Sequence, residues 1–191
     1  PNKTGTWGLS IEGHHLSLNF VIKDNEVISS TPQVLCANPT FVKSDVGKIK
    51  AGTRVLKNEE EYAFQLVNML DADQAKVGII DEKAPREVRG AGDAQVPTGD
   101  PIGISWKDLS AEQRKLLKKI IRVYAATMAP AIMEERMADI VEGKWSNVHF
   151  AWAGATKAGI GHYYRIQGPT FVIEFVNTQP DAAGNPASHI H

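Results

Sequence analysis

The chain has one cysteine, no long apolar run and no excess of either charge, and each absence removes a class of protein. A single thiol, Cys36, cannot form an intramolecular disulfide, so the 191 residues are not a disulfide scaffold. No run approaches the roughly 18 apolar residues of a membrane span. Lys and Arg number 21 against 22 Asp and Glu, for a formal charge of −1. That balance lacks the basic excess of a phosphate-backbone binder, and nucleic acid is not an expected partner. Familiar catalytic signatures are missing as well: there is no HExxH helix, Walker loop, GxSxG elbow or CxxC pair. The sequence starts at Pro1 rather than Met, which reads as a trimmed chain, so its start carries no information about compartment.

What is present is the composition of an ordinary globular protein, 42% hydrophobic and 23% charged. The expected organisation is a single α+β domain over 1–191 with a helical insertion roughly at 58–143. Trp7, Leu9 and Ile11 alternate with polar residues, as do Leu16, Leu18, Phe20 and Ile22, and "KDNE" at 23–26 makes a turn. "NEEEYAFQLVNML" predicts a helix capped by Asn58, and "LDADQAKVGII" a short helical turn opening at Asp71 or Asp73. Gly, Pro and charge over 81–108 predict a long loop. Ser110 and Gln113 form a capping box ahead of a helix that buries Leu116, Leu117, Ile120, Ile121 and Tyr124. Pro130 opens the next helix and Gly143 ends it. "VHFAWAG", "GHYYRIQG" and "TFVIEFVNT" then return to strands, and the terminal β segments are expected to meet in one antiparallel sheet, with the helical region packed against it.

Of six histidines, four fall in two pairs near opposite ends, His14 with His15 and His189 with His191. In an extended segment His189 and His191 project from one face, about 6.5 to 7 Å apart along the strand, which lets two imidazoles converge on a cation. If the first and last β segments are neighbours, His15 or His14 supplies a third nitrogen, the pattern of catalytic zinc sites, and all-nitrogen sites also suit copper. The bland alternative is a frayed terminus, since "DAAGNPASHIH" is rich in Gly, Ala and Pro. His14 shares the apolar side of its strand and reads as a hydrogen-bonded core residue before a ligand. His162 is a further candidate, and His149 belongs to the site or to the sheet rim. Glu174 interrupts an apolar run and must find a partner; Arg165 on the adjacent strand is the natural one, the rival role being metal ligand or general base. Cys36 reads as a small buried residue rather than a nucleophile.

The blocks "WGLSIEGHHLSLNF", "HFAWAG", "HYYRIQGPTFVIEFVNTQ" and "SHIH", in that order, resemble a bacterial family catalogued as domain of unknown function 3500. The resemblance runs from Trp7 to His191. It implies an exported or periplasmic setting, and relatives with a helical region before the first block and a short Trp-, Arg- and Asp-containing tail after the HxH. It implies little chemistry.

Two functions follow from the residues. The first is a metal-binding domain in which His15, His189 and His191, with His14 or His162, hold Zn or Cu beside Glu174 and Arg165; Zn implies hydrolysis with Glu174 as base, Cu implies redox chemistry. The second is a non-catalytic extracellular module for a glycan or small polar ligand. There Trp7, Trp106, Trp145 and Trp152 stack, and Arg165, Gln167 and Asn19 supply hydrogen bonds.

Overall fold

Alternating apolar residues form two antiparallel strands, β1 (Thr6–Gly13) and β2 (Leu16–Lys23), in the computed structural model, which describes residues 4–93 and 99–191. The register pairs Gly13 with Leu16, so His14 and His15 are the two turn residues of a hairpin rather than strand residues facing opposite ways. The second turn, Asp24–Asn25, takes φ of 51° and 71°, the two left-handed residues that let a tight turn follow the strand twist. It leads to β3 (Glu26–Ser29), and β4 (Gln33–Leu35) pairs with the start of β2.

The remaining strands build a second sheet. Its order is β10 (His189–Ile190), β9 (Phe171–Gln179), β8 (His162–Gly168), β7 (His149–Gly154) and β5 (Ile79–Asp81). β5 runs parallel to β7, and β6 (Ile104–Ser105) pairs with the other end of β7. The α+β class is as the sequence predicts, but the terminal β segments lie in two sheets rather than one. β4 is only three residues long and leaves the first sheet at Leu35; its continuation docks on β10 through the Ala37–Ile190 bridge, which joins the sheets.

The helices are α1 (Lys57–Asn68), α2 (Ala72–Gly78), α3 (Ala111–Ala125) and α4 (Pro130–Glu142). α1 departs from its predicted cap: Leu56, at φ 52°, stands at the cap position without a side-chain hydrogen bond, and Asn58 lies inside the helix. Asp71 and Gln74 cap α2 reciprocally, as Ser110 and Gln113 cap α3. Pro130 occupies the first turn of α4 and Gly143 its C-cap. Leu66, Leu117, Ile120 and Ile121 bury against Phe150, Trp152, Tyr164, Ile166 and Phe175 on one sheet face. Each such side chain contributes roughly 1.5–3 kcal/mol on burial.

On the other face, Ala84 and Val88 of the segment after β5 cover Ala153, Tyr163 and Val176. We call residues 82–93 the strap. Of the loop predicted over 81–108, residues 94–98 lie outside the described residues, and β6 and a short 3-10 turn at Trp106–Asp108 occupy its end. Among the described residues no helix is long and apolar enough to cross a membrane.

Candidate functional site

The terminal "SHIH" is pinned rather than frayed. Asp181 Oδ1 accepts from the backbone N–H groups of Ala183 and Asn185, and Oδ2 from the Asn185 amide at 2.9 Å and Ser188 at 3.3 Å. The Asn185 side chain, those N–H groups and Lys43 outweigh burial and hold the Asp181 carboxyl well below the usual carboxylate range. The turn returns the chain to β9, where His191 and Val176 exchange both backbone hydrogen bonds and Ile190 does the same with Ala37. Asn177 Oδ1 accepts from the His189 N–H at 3.2 Å. Ile190 is buried, while His189 and His191 stand on the strap side, as an HxH segment requires.

The two sheets meet at this point, and the histidines meet with them. The Cys36 N–H donates to the His15 carbonyl at 3.0 Å, so the chain that carries Ala37 to Ile190 first holds the hairpin tip. His15 and His189 rings lie 5.3 Å apart, His189 and His191 rings 4.6 Å, and His14 stacks on His15 at 4.5 Å. The Nε2 atoms of His189 and His191 are 3.0 Å apart. Each ring is held from behind: Glu87 Oε2 is 2.7 Å from His191 Nδ1, and Asn38 Nδ2 is 3.3 Å from His189 Nδ1. Gln179 steadies the other oxygen of Glu87.

Electrostatics favours the neutral form of His15 and His189. Burial, then the neighbouring His14 and His191, lower the His15 pKa; burial, then His191 and His15, lower that of His189 against the opposing charge of Glu87. Neutral imidazole is the form that carries a free lone pair for a metal. Burial, with a smaller effect of Glu87, pushes the Cys36 thiol up, which suits a packed residue rather than a nucleophile. Among the described residues no group of three or more His, Cys, Asp or Glu side chains is arranged to hold a metal ion as it stands.

Other sequence candidates fall elsewhere. His14 is exposed at the hairpin tip, not in the core, because it is a turn residue. His162 faces the helices, 0% exposed and stacked between Trp152 and Phe175. Its Nδ1 donates to the Ile160 carbonyl at 2.8 Å, and its Nε2 faces Glu60 Oε1 at 3.1 Å, out of line for a good hydrogen bond. Burial pushes the Glu60 carboxyl up, but hydrogen bonds from His162 and Asn177 and the charges of His162 and Arg54 outweigh it, and its pKa is lowered. His162 is enclosed in the core two strands from β10, and it is no part of the cluster. His149 lies on the sheet rim, its Nδ1 3.3 Å from the Asn147 carbonyl.

Glu174 finds a different partner from the one expected. It stands directly across from Arg165 in the β8–β9 register, yet accepts from Arg89 Nε at 2.6 Å and from the Tyr163 hydroxyl. Arg165, 4% exposed, leaves Nε without a partner among the described residues. Arg89 comes from the strap, where sequence spacing gives no sign of its neighbours. Glu87 and Asn38 were missed for the same reason: one lies in a loop and one before Pro39, and neither belongs to a motif. Of the four Trp, Trp152 is fully buried, and Trp106 and Trp145 are half-buried and stack 5.0 Å apart with Lys118 over both.

Comparison with curated proteins and with solved structures gives no match. The model of one family matches residues 1–191, a span that includes the four blocks that end at the histidine cluster. The chain belongs to the family described as protein of unknown function (DUF3500).

Proposed function

We propose that the chain is a metal-binding domain whose centre is the His189–His191 pair, with His15 as a third nitrogen and zinc or copper as the metal. One observation carries the reading: two Nε2 atoms face each other at 3.0 Å while a carboxylate and an amide hold their Nδ1 atoms from behind. A carboxylate on the far nitrogen of a ligand histidine fixes its tautomer and raises its basicity. Two nitrogens bound to one zinc at about 2.0–2.1 Å with a tetrahedral angle lie about 3.3–3.4 Å apart. A few tenths of an ångström of opening brings the pair to that spacing, and a rotation of the His15 ring adds the third ligand. Imidazole donors favour zinc and copper over magnesium and calcium.

With zinc, the chemistry in this reading is hydrolysis by a metal-activated water; with copper it is redox. Glu174 and Arg165 stand on the same strap-covered face and serve a substrate beside the metal. Glu174 is anchored by Arg89 and Tyr163, so Arg165 is the freer of the two for an anionic group.

The test is elemental analysis of tag-free protein, followed by zinc and copper titration, with the His189→Ala/His191→Ala variant alongside. Near-stoichiometric metal that the variant loses is the expected result. Equal metal content in the two proteins, or none in either after loading, overturns the proposal.

A further inference from the structure

The hydrogen-bond chain through the cluster has a direction that its end groups dictate. Glu87 accepts only, so at 2.7 Å His191 Nδ1 carries a proton, and with one proton per ring its Nε2 presents a lone pair. At 3.0 Å from that lone pair, His189 Nε2 must be the N–H donor. The Nδ1 of His189 is then a lone pair, and the Asn38 amide nitrogen 3.3 Å away donates to it. Asn38 to His189 to His191 to Glu87 is therefore a self-consistent chain in which a proton fills the space between the two Nε2 atoms. A metal needs the opposite tautomer of His189, with its proton on Nδ1. Only one end of the chain is able to reverse: a carboxylate has no donor form at Glu87, whereas a half-turn of a carboxamide exchanges donor for acceptor.

We propose that Asn38 is the positioning residue that selects the tautomer of His189, and so decides whether a proton or a metal lies between His189 and His191. The side chain is exposed, and His189 is its sole hydrogen-bond partner among the described residues, so turning the amide breaks nothing else. With Oδ1 turned inward, Asn38 accepts from Nδ1–H and two Nε2 lone pairs face each other, an arrangement that a cation relieves. The inference rests on the metal reading of the cluster, but the tautomer itself is observable without metal.

Long-range ¹H–¹⁵N correlation spectra of ¹⁵N-histidine-labelled protein read it directly. They are recorded at pH 8 for the metal-free wild type and Asn38→Asp, then with zinc. In the metal-free wild type His189 is expected as the Nε2–H tautomer and His191 as the Nδ1–H tautomer, and zinc converts His189 to Nδ1–H. An aspartate accepts only, so Asn38→Asp shows Nδ1–H at His189 before any metal is added and binds zinc about 10-fold more tightly, the lower range of such outer-shell effects. His189 found as Nδ1–H in the metal-free wild type, or an unchanged tautomer in Asn38→Asp, overturns the assignment. If the tautomers follow this pattern and neither protein binds zinc, the role of Asn38 stands and the metal reading falls. Zinc binding that leaves His189 as Nε2–H in both proteins removes Asn38 and places the bound metal away from the His189–His191 pair.

Discussion

Two buried or half-buried carboxylates determine what the histidines do, and they do opposite things. Glu87 holds the back of His191 and leaves its front free. Glu87→Gln keeps the shape but replaces the accepting carboxylate by an amide, and zinc affinity is expected to fall by about 10- to 100-fold. A competition titration against a chelator measures it, and a change under about twofold would separate Glu87 from the site. Glu60 instead closes off His162, with Arg54 and Asn177 as its other partners. His162→Phe fills the aromatic stack but removes one polar neighbour of a buried carboxylate that keeps Arg54 and Asn177, at an expected cost of about 1–3 kcal/mol in urea unfolding. Metal stoichiometry should not change in this variant, because His162 lies on the other face of the sheet; lost metal would return it to the site.

At the scale of elements, backbone conformation is the sensitive quantity. Gly154 ends β7 at φ 87°, and a Cβ there would lie 2.4 Å from the Gly161 carbonyl oxygen. Gly154→Ala combines left-handed strain of about 1–2 kcal/mol with an overpacking cost of about 1–3 kcal/mol, and its thermal midpoint should drop accordingly. Lys144 shows the reverse case: it follows α4 at φ 66° and ψ 120°, exposed and without a side-chain cap. Lys144→Gly removes strain of about 1–3 kcal/mol and adds unfolded-state entropy of about 0.5–1 kcal/mol, so a net gain near 1 kcal/mol is expected from chemical denaturation. The strap is the third such element. Glu87, Val88 and Arg89 reach in turn the histidine pair, the small second core and Glu174. One short segment therefore spans both polar groups on this face.

For the whole molecule, pH acts through the histidines. His15 and His189 have folded-state pKa values below the ordinary 6.5. Between those values and 6.5 the unfolded chain binds more protons than the folded one, so stability rises with pH across that window. Their contribution is complete above about pH 6.5 and is lost as pH falls through the lowered values. Thermal unfolding of metal-free protein should show a midpoint that declines from pH 7.5 to pH 5.5. His15→Gln/His189→Gln should flatten that decline, and an equal slope in the variant would place the titrating groups elsewhere.

The periodicities were legible from the chain alone. Strands, helices, two of the caps and the α+β class follow from local rules, because alternation, capping boxes and Pro or Gly placement act within a few residues of themselves. So did the convergence of His189 and His191, since a two-residue step in an extended segment returns to one face. The same local rules misplaced His14, because alternation continues across a two-residue turn and does not reveal where the hairpin tip lies. What the tertiary structure decided was every pairing across long separations: two sheets rather than one, joined at Ala37 and Ile190; Arg89 rather than Arg165 on Glu174; Glu60 across from His162. The groups behind the histidines, Glu87 and Asn38, belong to this second set. Charge and hydrogen-bond partners are chosen by proximity in space, and no spacing in the sequence encodes a contact between a loop, a hairpin tip and a terminal strand.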